Sequence, residues 1–215
     1  MGGHDERVER GRRYWDNLSS FAPALERTAS ALDTVGLDRL GLGAGQSVLD
    51  VGCGAGAAFP ALCDAVGPDG RVVGVDLSGA MLDRARERVA EHRLWQVELV
   101  HAEISGAELE PGGFDGAVAV FALSAVADVD GALRTVRRAL RPGCRLLVVD
   151  LDLVPRGPAA PLTWATRQLY RRRAGAATDD LAAAARAVFD AVEILDLPLG
   201  AGSRWAPLVG LVATA

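Results

Sequence analysis

The chain contains no lysine; all 23 basic residues are arginine. Against 28 acidic residues they leave a formal net charge of −5. That balance lacks the basic footprint of a general nucleic-acid binder, and no nucleic-acid partner is expected. We attribute the missing lysine to coding-sequence base bias and not to function. Cysteine is scarce: Cys53, Cys63 and Cys144 are odd in number and have no metal-ligand spacing. Neither a disulfide framework nor a metal site follows, and reduced thiols in a cytoplasmic protein do. Thiol-dependent chemistry such as arsenic methylation would need clustered cysteines. Histidine is confined to His4, His92 and His101, none in a setting that marks a general base. The longest nearly apolar run, Gly116 to Ala127, is too short to cross a bilayer, and the charged N-terminal residues form no apolar signal core. At 215 residues, half of them hydrophobic, the chain suits a single domain with a substantial core.

What is present centres on Val48-Leu49-Asp50-Val51-Gly52-Cys53-Gly54-Ala55-Gly56. This reads as a buried strand running into a glycine-rich turn, with helix-compatible sequence from Ala57 to Val66. Such an order builds a ligand crevice at the carboxyl end of a parallel strand. Gly52, Gly54 and Ala57 also satisfy the dinucleotide pattern G-x-G-x-x-G/A, so the glycines alone do not choose the ligand. Asp50 does. A pyrophosphate at a helix N-terminus wants amide donors and no fixed anion beside it. Asp50 instead suits an ammonium, such as that of S-adenosylmethionine, whose carboxylate is then expected on the glycine-loop amides. The competing reading is that Asp50 only caps its own turn.

Two further acids fit the same ligand. Arg71 to Asp76 is an apolar strand ending in Asp76, twenty residues beyond Gly56, the spacing at which an acid reaches ribose hydroxyls. Ser78 is the better cap for the helix that follows, which leaves Asp76 to the ligand; capping by Asp76 is the alternative. Val97 to Ile104 then ends in Ala102-Glu103-Ile104. Glu103 is placed to accept from an adenine amino group while its apolar neighbours pack on the ring, the alternative being a solvated strand-end carboxylate. The strand Phe114 to Phe121 brings Phe121 and Ala122 beside the cofactor, or Phe121 belongs to the core.

Along the chain, residues 5 to 20 and 22 to 36 read as two helices, with Pro23 in the first turn of the second. They are placed to fold over the crevice as a lid. Gly41 to Gly45 links them to the first strand. Ser78 to about Glu91 is amphipathic, with Met81, Leu82, Ala85 and Val89 on one face. Val129, Ala132, Leu133, Val136, Ala139 and Leu140 form a helical stripe ended by Pro142-Gly143. Arg145 to Leu151 is the fifth strand, and Ala182 to Ala185 is helical. Strands alternating with helices define an α/β, doubly wound parallel sheet. Val192 to Leu197 and Leu208 to Thr214 have no helix between them and are expected to form an antiparallel hairpin.

VLDVGCGAG (48–56), VVGVDLSGAMLDRAR (72–86), VHAEI (100–104), FDGAVAVFAL (114–123) and ALRTVRRALRPGCRLLVVD (132–150) together resemble the class I S-adenosylmethionine-dependent methyltransferases. Within them the chain is similar to the subgroup of ubiquinone and menaquinone biosynthesis enzymes and small-molecule methyltransferases. The resemblance implies a Rossmann-like seven-stranded sheet of order 3-2-1-4-5-7-6 with the last strand antiparallel. It implies a single methyltransferase domain over 1–215: a helical cap (1–40), a cofactor-binding core (45–152), and a substrate-side helix with the C-terminal hairpin (153–215). S-adenosyl-L-methionine would be held by Asp50, Gly52, Cys53, Gly54, Gly56, Asp76, Leu77, Met81, Ala102, Glu103, Ile104 and Phe121, and S-adenosyl-L-homocysteine would be the product. Glu103 departs from the usual aspartate. The 121–126 segment lacks the histidine or asparagine often found there, which leaves the catalytic base unassigned.

Acceptor recognition falls to the variable pieces. Tyr14, Trp15, Phe21, Ser124, Trp164, Tyr170 and Trp205 are the candidate pocket walls, with Tyr14 and Tyr170 also available as bases under a closed lid. Ordinary core packing is the rival explanation for each aromatic. Arg171-Arg172-Arg173 reads as a solvated helical face sooner than a lipid or anion contact. The expected function is methylation, on oxygen or carbon, of a hydroxylated aromatic or a natural-product intermediate of secondary metabolism, by a monomer or homodimer with no membrane span. The rivals are a cofactor-binding protein that catalyses a cyclisation, a nicotinamide-dependent reductase, and a partner-binding module with a degenerate site.

Overall fold

Apolar runs that alternate with amphipathic stretches assemble here into three layers, helices on both faces of one sheet. The computed structural model describes residues 2–19, 36–151, 154–155, 160–173, 180–197 and 208–215, and for Tyr170 and Arg173 the backbone alone. The strands are β1 (Ser47–Val51), β2 (Arg71–Asp76), β3 (Val97–His101), β4 (Phe114–Val120), β5 (Leu140–Leu151), β6 (Ala191–Leu195) and β7 (Leu208–Thr214). They lie in the order β3-β2-β1-β4-β5-β7-β6. The pairs from β3 across to β5 are parallel, and β7 runs antiparallel to both β5 and β6. The expected sheet order and C-terminal hairpin are therefore present.

The described helices are α1 (Gly2–Leu18), α2 (Phe59–Val66), α3 (Gly79–His92), α4 (Val129–Ala139), α5 (Ala160–Arg173) and α6 (Leu181–Val188). Successive strand residues point to opposite faces, so each central strand feeds two cores. Leu49, Val51, Val73, Ala117, Ala119 and Val148 pack with Leu133 and Val136 of α4 and Ala185 of α6. Val48, Val72, Val118 and Leu147 pack against Phe59 and Leu62 of α2 and Leu82 of α3. Strands buried on both faces read as continuous apolar runs, and the central strands do. Ser78 caps α3 by accepting the Met81 N–H at 3.1 Å, as the sequence suggests.

Several details differ from expectation. The helix after the glycine turn begins at Phe59, because Ala57 and Ala58 still belong to the turn. The fifth strand begins at Leu140 and not at Arg145. Leu140 pairs with Phe114 and Arg145 with Gly116, so Pro142-Gly143 is absorbed as an irregularity in the ladder. Gly143 supplies the left-handed backbone there (φ +79°). The crossover between β3 and β4 carries only a 3-10 turn, Ile104–Gly106, in place of a full helix. The second N-terminal helix, 22–36, lies almost wholly outside the described residues.

Gly74 shows how closely the layers approach under the site. A Cβ added there would stand 2.7 Å from the Phe59 ring and 2.9 Å from Cys53 Sγ. Gly74→Ala is expected to destabilise the fold by about 1–3 kcal/mol through overpacking. Denaturant unfolding measures this, and an unchanged midpoint would contradict the packing described.

Candidate functional site

The site is built where β1, β2 and β4 end. Asp50 occupies the penultimate position of β1, opposite Gly74 and Val118 of its neighbours. The chain then turns through Gly52 (φ +66°), Gly54 (+53°) and Gly56 (+75°). At Gly52 the requirement for glycine is also spatial, since a Cβ would lie 2.5 Å from that of Ala122. The turn and the end of β4 are thereby brought into contact. Phe121, at that end, adopts φ +52°, a left-handed conformation unfavourable for a bulky residue and frequent at functional sites. Its N–H donates to Val149 O at 2.8 Å, which holds it there.

These ends open into a cavity of about 320 Å³. From β1 and the glycine turn come Asp50, Gly52, Cys53, Gly54, Ala55, Ala57 and Ala58; from the β2 end, Val75, Asp76, Leu77 and Met81. Ala102, Glu103 and Ile104 follow β3, while Val120, Phe121, Ala122 and Ala125–Ala127 follow β4, and Leu151 ends β5. Helix α1 crosses the opening and contributes Arg7, Val8, Gly11 and Trp15. Trp15 packs on Ala55 and Met81. The Ser78 hydroxyl donates to Asp16 Oδ1 at 2.6 Å and fixes the helix to the cap of α3. One helix of the expected lid thus stands over the crevice.

Asp50 is the unusual group. Its side chain is buried, and Oδ2 has no hydrogen-bond partner. Burial, followed by the neighbouring Asp76, pushes its carboxyl up to about 7. An ionised carboxylate so placed is costly unless a cation joins it. Burial also raises Cys53, with Asp50 and Asp76 adding to the shift, so its thiol stays protonated.

Asp76 is not the free carboxylate expected. Oδ2 accepts the Gly54 N–H and Oδ1 the Ser78 N–H, each at 2.8 Å. It therefore braces the glycine turn while also lining the cavity. Burial raises its pKa, and the two amides oppose the rise. A carboxylate oxygen has a second lone pair, so hydroxyl groups can still donate to it. Glu103 Oε2 accepts the N–H and hydroxyl of Ser105 and caps the short turn, while Oε1 is buried and unpartnered. Four of the five glycine-turn amides are also committed, Gly54 to Asp76 as above. Gly52 and Cys53 donate to Val75 O at 2.8 and 3.1 Å, and Gly56 to Cys53 O at 2.9 Å. A ligand carboxylate on this turn would have to share those four donors or take the Ala55 N–H.

Of the proposed acceptor walls whose side chains are described, only Trp15 lines the cavity. Tyr14 stacks edge-on against Trp15, with centroids 5.1 Å apart. Ser124 is buried behind the wall, its N–H donating to Asp150 at 3.1 Å. Trp164, on α5, is 55% exposed. Phe21 and Trp205 lie outside the described residues, as does the side chain of Tyr170. Val8, Val126, Ala127 and Leu151 were not anticipated; small apolar residues carry no individual signal in sequence. Arg7, Val8, Gly11 and Trp15 do share one face of a helix by their spacing, and that pattern was available. No histidine or tyrosine is among the described residues that line the cavity. His101 is exposed, with Nε2 3.0 Å from Leu77 O.

Residues 48–143 match the family described as a methyltransferase domain. An uncharacterized 37.1 kDa protein in a transposon of Streptomyces fradiae is 41% identical over 124 residues, 58% of this chain and 35% of that protein. The ubiquinone/menaquinone biosynthesis C-methyltransferase of Hahella chejuensis is 37% identical over 117 residues, 54% of this chain and 47% of that enzyme. The chain thus spans about half or less of these relatives. A solved geranyl diphosphate methyltransferase in complex with GPP and sinefungin superposes with a TM-score of 0.70 at 18% identity, covering 97% of this chain and 98% of that one. The chain thus carries a match to a methyltransferase domain over residues 48–143 and shares its fold with a solved methyltransferase.

The residues present fit S-adenosylmethionine: Asp50 Oδ2 and Glu103 Oε1 are buried acceptors awaiting donors, and Asp76 stands between them in chain order. When bound, the cofactor supplies a methyl group already activated by a positive sulfur. The protein need only orient the acceptor and exclude water.

The Asp50 pKa has a consequence for stability. The ligand-free fold retains this proton up to about pH 7, whereas an unfolded aspartate releases it at about pH 4. Between those values the native state binds more protons than the unfolded state, so this group's contribution lowers stability as pH rises. Asp50→Asn removes that cost. Its melting temperature is expected to exceed the wild-type value at pH 8, with the gap closing toward pH 4. A gap independent of pH would contradict this.

Proposed function

We propose that the protein transfers the methyl group of S-adenosylmethionine to a small organic acceptor, with Asp50, Asp76 and Glu103 holding the cofactor's amino-acid, ribose and adenine portions. The observation that carries this reading is the unpartnered, buried Asp50 carboxylate facing the cavity. A cationic ligand group lowers its cost; a diphosphate would raise it. The commitment of the Gly52, Cys53, Gly54 and Gly56 amides within the chain weighs in the same direction, because a dinucleotide reader needs such donors.

The acceptor end favours an apolar or aromatic body. Val8, Val120, Phe121, Ala125–Ala127 and Leu151 offer small aliphatic surfaces and one ring. With no histidine or tyrosine among the described lining residues, the acceptor carries its own reactivity. An electron-rich ring carbon or an acidic hydroxyl meets that need. We therefore favour carbon or oxygen methylation of a hydroxylated aromatic or a related natural-product intermediate. The similarity to a quinone-pathway C-methyltransferase points the same way.

Incubation with methyl-labelled S-adenosylmethionine and a panel of hydroxylated aromatics is expected to move label into one of them. Tight binding of S-adenosylhomocysteine without label transfer to any acceptor would favour a cyclase or rearrangement role. Stronger thermal stabilisation by NADH than by S-adenosylhomocysteine would overturn the cofactor assignment. Asp76→Ala is expected to weaken S-adenosylhomocysteine binding roughly tenfold or more by loss of charge-assisted hydrogen bonds. Calorimetric titration measures this, and unchanged affinity removes Asp76 from the ribose.

A further inference from the structure

Asp50, Asp76 and Glu103 leave one polar group of the cofactor, its α-carboxylate, without a charged partner. Four of the five glycine-turn amides, those of Gly52, Cys53, Gly54 and Gly56, already donate within the chain, which leaves the turn at most the Ala55 N–H for the cofactor's α-carboxylate. The three acids of the cavity would repel it. Among the described lining residues the sole cation is Arg7, on the inner face of α1. Its Nε is buried and has no hydrogen-bond partner. A buried guanidinium N–H without an acceptor carries a desolvation cost.

Among the described lining residues, three buried side-chain atoms are thus unsatisfied: Asp50 Oδ2, Glu103 Oε1 and Arg7 Nε. Two call for donors and one for an acceptor. The amino-acid nucleoside proposed above carries a matching set: an ammonium, an adenine amino group and a carboxylate. The placement along α1 agrees. Asp16, near the helix C-terminus, is fixed to Ser78 beside the ribose-side acid Asp76. Arg7 lies nine residues upstream, about 13 Å along the axis, and so is carried away from the nucleoside end.

We propose that Arg7 binds the α-carboxylate of S-adenosylmethionine, so that helix α1 is part of the cofactor site as well as a cover over it. This rests on the methyl-transfer reading and assigns a residue that reading does not use. The guanidinium donates to the carboxylate oxygens, and a planar fork suits two parallel hydrogen bonds. The amino-acid end is then recognised as a zwitterion, its ammonium by β1 and its carboxylate by α1. A ligand lacking either charge leaves one buried group unsatisfied, which gives the site a means of rejecting simple nucleosides.

The test uses the full chain and two ligands: S-adenosylhomocysteine, and its analogue in which hydrogen replaces the α-carboxylate. In the wild type the analogue is expected to bind roughly tenfold to a hundredfold more weakly, the range of a lost charge-assisted hydrogen bond. Arg7→Met is expected to weaken S-adenosylhomocysteine by about that factor and to leave the analogue unchanged. Arg7→Lys is expected to recover part of the difference, since it keeps the charge and loses the fork. Equal weakening of both ligands in Arg7→Met overturns the proposal, because Arg7 would then act by packing or folding. So does unchanged binding of S-adenosylhomocysteine. Failure of the wild type to bind either ligand overturns the methyl-transfer reading itself.

Discussion

Everything in the site is arranged around a carboxylate that the fold makes expensive to ionise. Asp50 sits at the end of a strand buried on both faces, with Asp76 close enough to raise its pKa further. The sheet alone cannot satisfy it, because the neighbouring amides are engaged elsewhere. Such a group destabilises the ligand-free protein and favours any ligand that brings a cation to that point. The bound state is therefore selected by removal of a cost already built into the fold, as much as by new contacts.

The surrounding elements serve that arrangement. Gly52 lets the turn lie against Ala122, and Gly74 lets Phe59 and Cys53 rise beneath the floor of the cavity. Asp76 ties the turn to the start of α3 through the Gly54 and Ser78 amides. The Asp16–Ser78 hydrogen bond carries the same linkage out to α1. A chain of short polar contacts thus runs from the strand ends to the covering helix. Methyl transfer from a positive sulfur asks for this kind of enclosure: alignment of two reactants in a space from which water is kept out. It makes a smaller demand on proton-transfer groups, consistent with a described cavity wall dominated by alanine, valine and glycine.

Much of this was legible in the residues. The strand–turn–helix at 48–66, the acids at 50, 76 and 103, and the strand-like runs at 192–197 and 208–214 pointed to the sheet and to a crevice at its strand ends, because each depends on local spacing. What escaped depended on partners distant in sequence. The capture of both Asp76 oxygens by Gly54 and Ser78 is a tertiary event with no local mark. Leu140 entered the sheet despite Pro142-Gly143 because Phe114 offered it a partner across the ladder. Trp164 differs for another reason: it is large enough to suggest a pocket wall, yet α5 leaves it exposed. Val126, Ala127 and Leu151, which line the described cavity, are small residues whose place there comes from position alone.

The most direct test is a calorimetric titration of S-adenosylhomocysteine at pH 6 in two buffers of different ionisation enthalpy, repeated with Asp50→Asn. An ammonium arriving at a protonated Asp50 displaces its proton into the buffer. Binding to the wild type should release close to one proton at pH 6 and far fewer at pH 8.5, and the variant should release almost none at either. Binding with no buffer dependence at pH 6 would show that Asp50 does not meet the ligand's amine, and would contradict the electrostatic basis of the site.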